Sequence, residues 1–156
     1  MARITAAEKE QTKKAWDAII FQIFMTEGWD AVTYDRMAKE TGKGKSSIQR
    51  YYESKLMFAT ALQGKVFPMA VQKLDFTSSG NFINSWMKAY HDKESHIFRE
   101  VVKMLIDNIM TAGTAPQSRG AIARICQLLS QHMPEQEAED AVKMVLGCTL
   151  YTYLES

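Results

Sequence analysis

The chain has 156 residues, of which 46% are hydrophobic and 24% charged, and its formal net charge at pH 7 is +1. These proportions are typical of a globular protein, and they exclude a polycation that coats nucleic acid by bulk charge. Any contact with nucleic acid must therefore come from a local basic patch. Both cysteines lie in apolar stretches, and neither a secretory signal nor a long apolar run is present. We therefore expect reduced thiols in a cytoplasmic protein that makes no membrane contact.

The polar residues do not form a recognisable catalytic or metal-binding pattern. The three histidines, His91, His96 and His132, are scattered, and no Cys/His spacing is typical of zinc. No Ser/His/Asp, paired-carboxylate or phosphate-loop constellation is present. The neighbouring Asp92 and Glu94 fall at a predicted helix junction, where solvated polar residues are common. We therefore expect a protein that is not an enzyme and that needs no metal or cofactor.

Capping signals and apolar spacing predict helices along the whole chain. The spacing of Thr5 and Glu8 is that of a capping box, so a first helix is expected from Ala6 until Gly28. Ser54 is expected to cap a further helix. Pro68 should kink or end that helix, because proline lacks the N–H for the inner hydrogen bond. Further helices are predicted at residues 81–92, 94–112, 117–132 and 135–155, with a loop at 113–116.

Residues 33–55 predict two short helices around a glycine-containing turn. Thr33 can cap the first helix, residues 41–44 make the turn, and residues 45–52 form the second helix. Ile48 and Tyr52 lie four apart on the buried side of this second helix. Within residues 39–55, five cations against two glutamates give a local basic patch. The side chains left pointing outward are Lys45, Ser46, Ser47, Gln49 and Arg50. A helix-turn-helix presents such side chains to the DNA major groove.

Residues 16–58 resemble the DNA-binding domain of the TetR family of bacterial transcription regulators. The family has a helix that ends in an aromatic residue and a glycine, here Phe24 and Gly28, followed by an aromatic-turn-threonine entry at residues 29–33. The helix-turn-helix then matches the family pattern without gaps at Met37, Ala38, Gly42, Lys45, Ser47, Ile48, Arg50, Tyr51, Tyr52, Ser54 and Lys55. About forty residues at fixed spacing are far more specific than a lone helix-turn-helix.

Three positions depart from the family pattern. Lys43 stands where a small apolar residue is usual, and it either weakens the packing of the turn or adds a phosphate contact. Gly44 replaces the usual serine or threonine cap at a cost of a few tenths of a kcal/mol. Gln49 replaces a tyrosine and can pair bidentately with adenine. This member is therefore expected to read a different DNA sequence from its relatives.

Geometry and the resemblance together predict the DNA contacts. Lys45, Gln49 and Arg50 are expected at base edges, with Ser46 and Ser47 reaching a base or a phosphate. Contacts to the DNA backbone are expected from Thr33, Lys43, Tyr51 and Lys55. Lys55 is expected at the N-terminus of a helix, where the helix dipole and the charge of the side chain both favour a phosphate.

The resemblance also implies roles for the rest of the chain. In the family this region binds a small molecule and dimerises through its last two helices, here 117–132 and 135–155. The expected dimer-interface residues are Gly120, Ile125, Leu129, Val142, Val145 and Cys148. A hydrophobic ligand is expected among Phe67, Phe82, Trp86, Met87, Tyr90, Phe98, Met104 and Met110, for each of which core packing is the alternative.

Together these expectations describe an all-α protein with a three-helix helix-turn-helix DNA-binding head and a helical body for ligand binding and dimerisation. The head is expected at residues 1–53 and the body at 54–156. The resemblance implies a homodimeric repressor that binds a palindromic operator in double-stranded DNA and is released by a small hydrophobic effector. The alternative is a protein of this fold that positions a protein partner on DNA and has no ligand pocket.

Overall fold

All regular secondary structure in the described residues is helical, which confirms the expected fold class. The structure is a computed structural model, and it describes residues 4–112 and 116–155. The helices are α1 Ala6–Glu27, α2 Tyr34–Thr41, α3 Lys45–Tyr51, α4 Lys55–Val71, α5 Ser79–Tyr90, α6 Ile97–Ala112, α7 Pro116–Ser130 and α8 Glu135–Glu155. A 3-10 turn, Trp29–Ala31, follows α1. Residues 113–115 of the predicted loop lie outside the described residues, and its last residue, Pro116, is the first residue of α7. No helix within them has the length and hydropathy needed to cross a membrane.

The chain divides into two compact units, Met1–Lys65 and Val66–Ser156, and the boundary falls inside α4. The first is referred to below as the head unit and the second as the body unit. The head unit holds α1, α2, α3 and the first part of α4. The body unit holds the rest of α4 together with α5, α6, α7 and α8.

Local capping sets both ends of α1, as predicted. The Thr5 hydroxyl accepts a hydrogen bond from the Glu8 backbone N–H at 3.1 Å, and the Glu8 carboxylate accepts one from the Thr5 N–H at 2.9 Å. At the other end the Gly28 N–H donates to the Phe24 carbonyl at 2.9 Å, with φ of 94° at Gly28. Only glycine adopts this backbone conformation without strain, so the helix ends there.

The core of the head unit is built from the apolar faces of its helices. In α1, α2 and α3 the spacing of apolar residues follows the helical period, so each helix turns one face inward. The side chains at the centre are at most 1% exposed: Ile20, Phe24, Trp29, Val32, Met37, Ile48, Tyr52, Phe58 and Leu62. This core leaves the opposite face of α3 in solvent.

Pro68 was predicted either to kink its helix or to end it. Helix α4 continues past Pro68, so the prediction of an end is wrong. It continues to Val71, and the Pro68 carbonyl accepts a hydrogen bond from the Gln72 N–H at 3.1 Å. The missing proline N–H leaves the carbonyl of Gly64 without its helical partner. Gly64 and Pro68 are both exposed, so water can hydrate that carbonyl. This exposure makes a proline tolerable inside the helix.

The body unit is organised around α8, which packs against α5 and α7. The buried face of α8 carries Ala138, Ala141, Val142, Val145 and Thr149 at helical spacing. Helix α8 begins at Glu135, as predicted, with Glu135 and Glu137 in the first turn, where the helix dipole favours acidic residues. Helix α5 begins two residues earlier than predicted, because the Ser78 hydroxyl accepts a hydrogen bond from the Asn81 N–H at 3.1 Å.

Candidate nucleic-acid interface

The turn before α3 has the geometry that its glycines predict. Gly42 ends α2 with φ of 70°, in the left-handed region, and its N–H donates to the Ala38 carbonyl at 3.0 Å. Gly44 is the N-cap residue of α3 and offers no side-chain hydrogen bond. The first turn of α3 therefore keeps its backbone N–H groups unshielded by a capping side chain, and Lys43 before it is exposed.

The inward face of α3 is fixed to both neighbouring helices. Ile48 and Tyr52 are 0% exposed, as predicted. The Tyr52 hydroxyl donates to the Asp17 carboxylate on α1, and the Tyr34 hydroxyl of α2 donates to the Tyr52 carbonyl at 2.7 Å. Burial, together with the hydrogen bond to Asp17, holds the pKa of Tyr52 far above its usual value, so this phenol remains a neutral donor. These contacts define how α3 is oriented within the head unit.

The outward face of α3 carries the residues predicted to read base edges. Lys45, Ser46, Gln49 and Arg50 are exposed, and Ser47 is half-buried. All five lie on a helix of seven residues, so they form one polar surface along about two helical turns. The arrangement matches the expected outward set, while contact of each side chain with DNA stays a prediction.

Three of the residues predicted to hold the DNA backbone also have a role inside the head unit. The Thr33 hydroxyl accepts a hydrogen bond from the Arg36 N–H at 3.1 Å and so caps α2. The Tyr51 ring packs on Trp16 with centroids 4.5 Å apart. Lys55 is the first residue of α4, and its Nζ lies 4.8 Å from the centre of the Trp29 ring.

Two contacts of charged side chains near α3 were not predicted from the sequence. The Nζ of Lys45 lies 3.1 Å from Oδ1 of Asp35, the acidic residue in the first turn of α2. On α1, the Nζ of Lys9 lies 5.6 Å from the centre of the Tyr51 ring. No periodic pattern links these residues along the sequence. The pairing of the N-terminal ends of α2 and α3 follows from the turn geometry, which a sequence signal does not specify.

The predicted ligand residues lie mostly inside the core of the body unit. Phe82, Trp86, Tyr90, Phe98 and Met104 are at most 5% exposed, Phe67 and Met87 are half-buried, and Met110 is 79% exposed. The Trp86 indole N–H donates to the Thr149 hydroxyl at 2.9 Å, and its ring meets the Phe98 ring edge-on at 5.1 Å. Burial, with a hydrogen bond to Tyr153, raises the pKa of Tyr90 to about 12. Phe82, Trp86 and Phe98 therefore pack against one another in this core.

Two surface grooves of the body unit are lined by other residues. A groove of about 600 Å³ is lined by Gln72, Lys73, Ser85, Lys88, Ala89 and Asp92. A mostly apolar groove of about 450 Å³ runs along α8 and is lined by Asp140, Lys143, Met144, Gly147, Cys148 and Tyr151. Of the predicted ligand and dimer residues, Cys148 alone borders either of these two grooves.

Four of the six predicted dimer residues are used by the fold itself. Ile125, Leu129, Val142 and Val145 are at most 5% exposed within a single chain, so they belong to its core, and their contact with a partner stays a prediction. Gly120 is exposed and Cys148 is half-buried. The apolar surface of α8 lies instead on its other side, where Met144, Leu150, Tyr151 and Leu154 are between 53% and 78% exposed.

Comparison with known proteins extends the resemblance to the body unit. A family model described as "Tetracycline repressor LuxT C-terminal domain" matches residues 63–153, more than half of the chain. The chain is 27% identical over 110 residues to the HTH-type transcriptional regulator SrpR of Pseudomonas putida, a match that covers 65% of this chain and 50% of SrpR.

A second relative comes from the same species. The chain is 26% identical over 110 residues to the uncharacterized HTH-type transcriptional regulator TtgW of Pseudomonas putida, a match that covers 65% of this chain and 80% of TtgW. The match thus spans half the length of one relative and most of the other. With a helix-turn-helix in the head unit and a family model that covers the body unit, the chain belongs to the tetracycline repressor, or TetR, family.

Proposed function

We propose that the protein is a sequence-specific DNA-binding transcriptional regulator that acts in the cytoplasm as a homodimeric repressor. In this proposal residues 1–53 bind a palindromic operator, and residues 54–156 dimerise and respond to a small hydrophobic ligand. The observation that carries the proposal is the polar outer face of α3, held by a fully buried inner face at Ile48 and Tyr52. Both relatives are named as HTH-type transcriptional regulators, which supports the same function.

The chemistry of α3 suits direct reading of base edges. The amide of Gln49 can donate to N7 of adenine and accept from its N6 amino group, while Arg50 and Lys45 suit the O6 and N7 acceptors of guanine. The exposed side chains of these three residues lie on one short helix, a size that fits the major groove. Thr33, Tyr51 and Lys55 would then set the register by contacts to phosphates.

The outer face of α8 supports dimerisation. Exposed apolar side chains that lie close together mark interaction surfaces, and Met144, Tyr151 and Leu154 lie on this face beside the groove of about 450 Å³. Gly147 has no atom within 4 Å of where a Cβ would stand, so a partner helix can approach the backbone closely there. A two-fold dimer places two α3 helices on half-sites about 34–36 Å apart.

Control by a small hydrophobic ligand is proposed on the composition of the body core. Phe82, Trp86 and Phe98 form a chain of ring contacts with centroids 5.9 and 5.1 Å apart, and Met104 is buried in the same unit. Methionine side chains are flexible and polarisable, so they adapt to apolar ligands by changing rotamer. A ligand acts to the extent that it binds the DNA-free state more tightly than the operator-bound state.

Selection of bound sequences from a random DNA pool tests the central proposal. We expect enrichment of a palindrome with two half-sites one helical turn apart. A variant that combines Lys45→Ala, Gln49→Ala and Arg50→Ala is expected to enrich nothing. Its matched control, with Lys14→Ala, Gln22→Ala and Lys65→Ala on exposed positions of α1 and α4, should enrich the same palindrome. Enrichment of no sequence by the unmodified protein contradicts sequence-specific binding.

The exposed face of α8 also fits the alternative, in which the protein positions a protein partner on DNA. Genome-wide binding distinguishes the two functions. Single sites next to promoters support a repressor, whereas dispersed sites away from promoters support the alternative. A thermal-shift screen with hydrophobic compounds then tests whether the protein binds such a ligand, because a compound that binds the folded state raises the unfolding temperature.

A further inference from the structure

We propose that Asp35 is a specificity-determining positioning residue, which holds the Lys45 ammonium towards a base edge and restrains it from binding phosphates. The inference rests on the proposed reading of DNA by α3. It concerns a carboxylate on the DNA-facing side of the head, where an acidic residue opposes binding unless it has a specific role.

The geometry places Asp35 and Lys45 together at the entrances of two helices. Asp35 lies in the first turn of α2, Lys45 is the first residue of α3, and Oδ1 and Nζ are 3.1 Å apart. Both side chains face solvent, at 83% exposure for Asp35 and 56% for Lys45. An ion pair this exposed contributes little to folding stability. Stability therefore does not explain it.

The other cations near Asp35 either bind different carboxylates or have no carboxylate partner in the described residues. Arg36, next to Asp35, binds the carboxylates of Glu27 and Glu40, with its Nε 2.8 Å from Glu40 Oε1. In the part of the chain that the structure describes, the ion pair of Asp35 is with Lys45, while Arg50 and Lys43 have no carboxylate within 4.0 Å. Of Lys43, Lys45 and Arg50, it is therefore Lys45 that has a carboxylate partner within the described residues before DNA binds.

A lysine ammonium has three N–H donors, and one bond to Asp35 leaves two for a ligand. An ammonium held at a fixed place can donate both to the O6 and N7 acceptors of a correctly placed guanine. Its long flexible stem would otherwise let it swing to the nearest phosphate, which every DNA sequence offers. The Asp35 carboxylate also repels phosphates. Both effects weaken binding to random DNA more than binding to the operator.

The test replaces the carboxylate by a neutral amide of the same shape. For Asp35→Asn we expect affinity for random DNA to rise about 1.5- to 5-fold per head, with a smaller change for the operator. The salt dependence of random-sequence binding should steepen by about one unit per head, because Lys45 then neutralises a phosphate. Preference at one base position of each half-site should relax. Asp35→Glu, which keeps a carboxylate, should restore that preference.

Two controls separate positioning from charge. Glu94→Gln makes the same charge change in the body unit at an exposed residue, and should leave the operator-to-random ratio unchanged. In a Lys45→Gln background, Asp35→Asn should no longer alter base preference, since the effect acts through Lys45. Equal gains for operator and random DNA, or a full effect without Lys45, overturn the inference. If the unmodified protein selects no sequence, the proposed function itself fails, which is a different result.

Discussion

The residues predicted to contact DNA differ in how far they are engaged within the head unit. Thr33, Tyr51 and Lys55 each contact another residue of the head unit, so we expect their replacement to change both stability and DNA binding. Gln49 and Arg50 are exposed and have no side-chain partner within residues 4–112 and 116–155. Their replacement should therefore change DNA binding alone, which makes them the cleanest residues for testing base reading.

Gln49→Ala is expected to lower discrimination at one base position by about 1–3 kcal/mol, because a bidentate contact to one base is lost. Folding should be unaffected, since the side chain is exposed. Binding to the selected operator and to its single-position variants measures the effect. Gln22→Ala, an exposed glutamine on α1, is the matched control. An unchanged base preference would remove Gln49 from the reading surface.

Lys55→Ala is expected to weaken binding to all DNA sequences alike and to reduce the salt slope by about one unit per head, as for a phosphate contact. It should also cost about 0.5–1 kcal/mol of stability, since Lys55 Nζ lies 4.8 Å from the Trp29 ring centre. Lys65→Ala removes a similar contact, 5.0 Å from the Phe21 ring, at a residue with no predicted DNA role. Titrations at several salt concentrations compare the two variants. A loss confined to one DNA sequence argues against a phosphate contact.

At the scale of elements, the first turn of α2 combines a helix cap with a predicted phosphate contact at Thr33. Thr33→Ala should lower the free energy of unfolding by about 1 kcal/mol through loss of the cap, and should also weaken DNA binding. Thr33→Asp keeps a capping oxygen and should preserve stability while the added charge weakens DNA binding further. Urea unfolding and binding titrations separate the two roles.

The control for the Thr33 variants is Thr5→Ala, which removes the equivalent cap of α1 at a residue with no predicted DNA contact. Its loss of stability should be similar, and its operator affinity should match that of the unmodified protein under conditions where both are folded. If Thr33→Asp binds DNA as well as the unmodified protein does, Thr33 acts only as a cap.

Local signals in the sequence predicted the elements well, because the causes of helix ends are local. The capping box at Thr5 and Glu8, the cap at Thr33 and the left-handed glycine at Gly42 each act within four residues. Contacts between distant residues left no such signal. The Asp17 carboxylate that holds Tyr52 is 35 residues away in sequence, and only packing of α1 against α3 brings the two together. The Asp35–Lys45 pair escaped prediction for the same reason.

Helix α8 shows why apolar spacing alone does not separate a core face from a candidate dimer face. One side of this helix carries Val142 and Val145, which are at most 5% exposed in a single chain. The other side carries Met144 and Tyr151, which are apolar as well but 54% and 61% exposed. A helix with apolar residues on both sides gives no periodic signal that tells its own core from a partner surface. Only the packed structure of the body unit assigns the two faces.

For the whole molecule, two α3 helices on one operator require two chains held together, and the outer face of α8 is the proposed contact. Gly147→Glu tests this directly. A Cβ at this position meets no atom within 4 Å in a single chain, so the fold should tolerate the change and the melting temperature should not fall by more than a few degrees. At a dimer interface the carboxylate would instead be buried opposite its copy. The penalty should reach several kcal/mol, or more than about a hundredfold in the dimer dissociation constant.

Gly64→Glu makes the same substitution at an exposed helical glycine of α4 that also has open space around it. Sedimentation should show monomers for Gly147→Glu and dimers for Gly64→Glu, and operator affinity should fall only in the first. Dimers in both variants would move the proposed interface away from this face of α8.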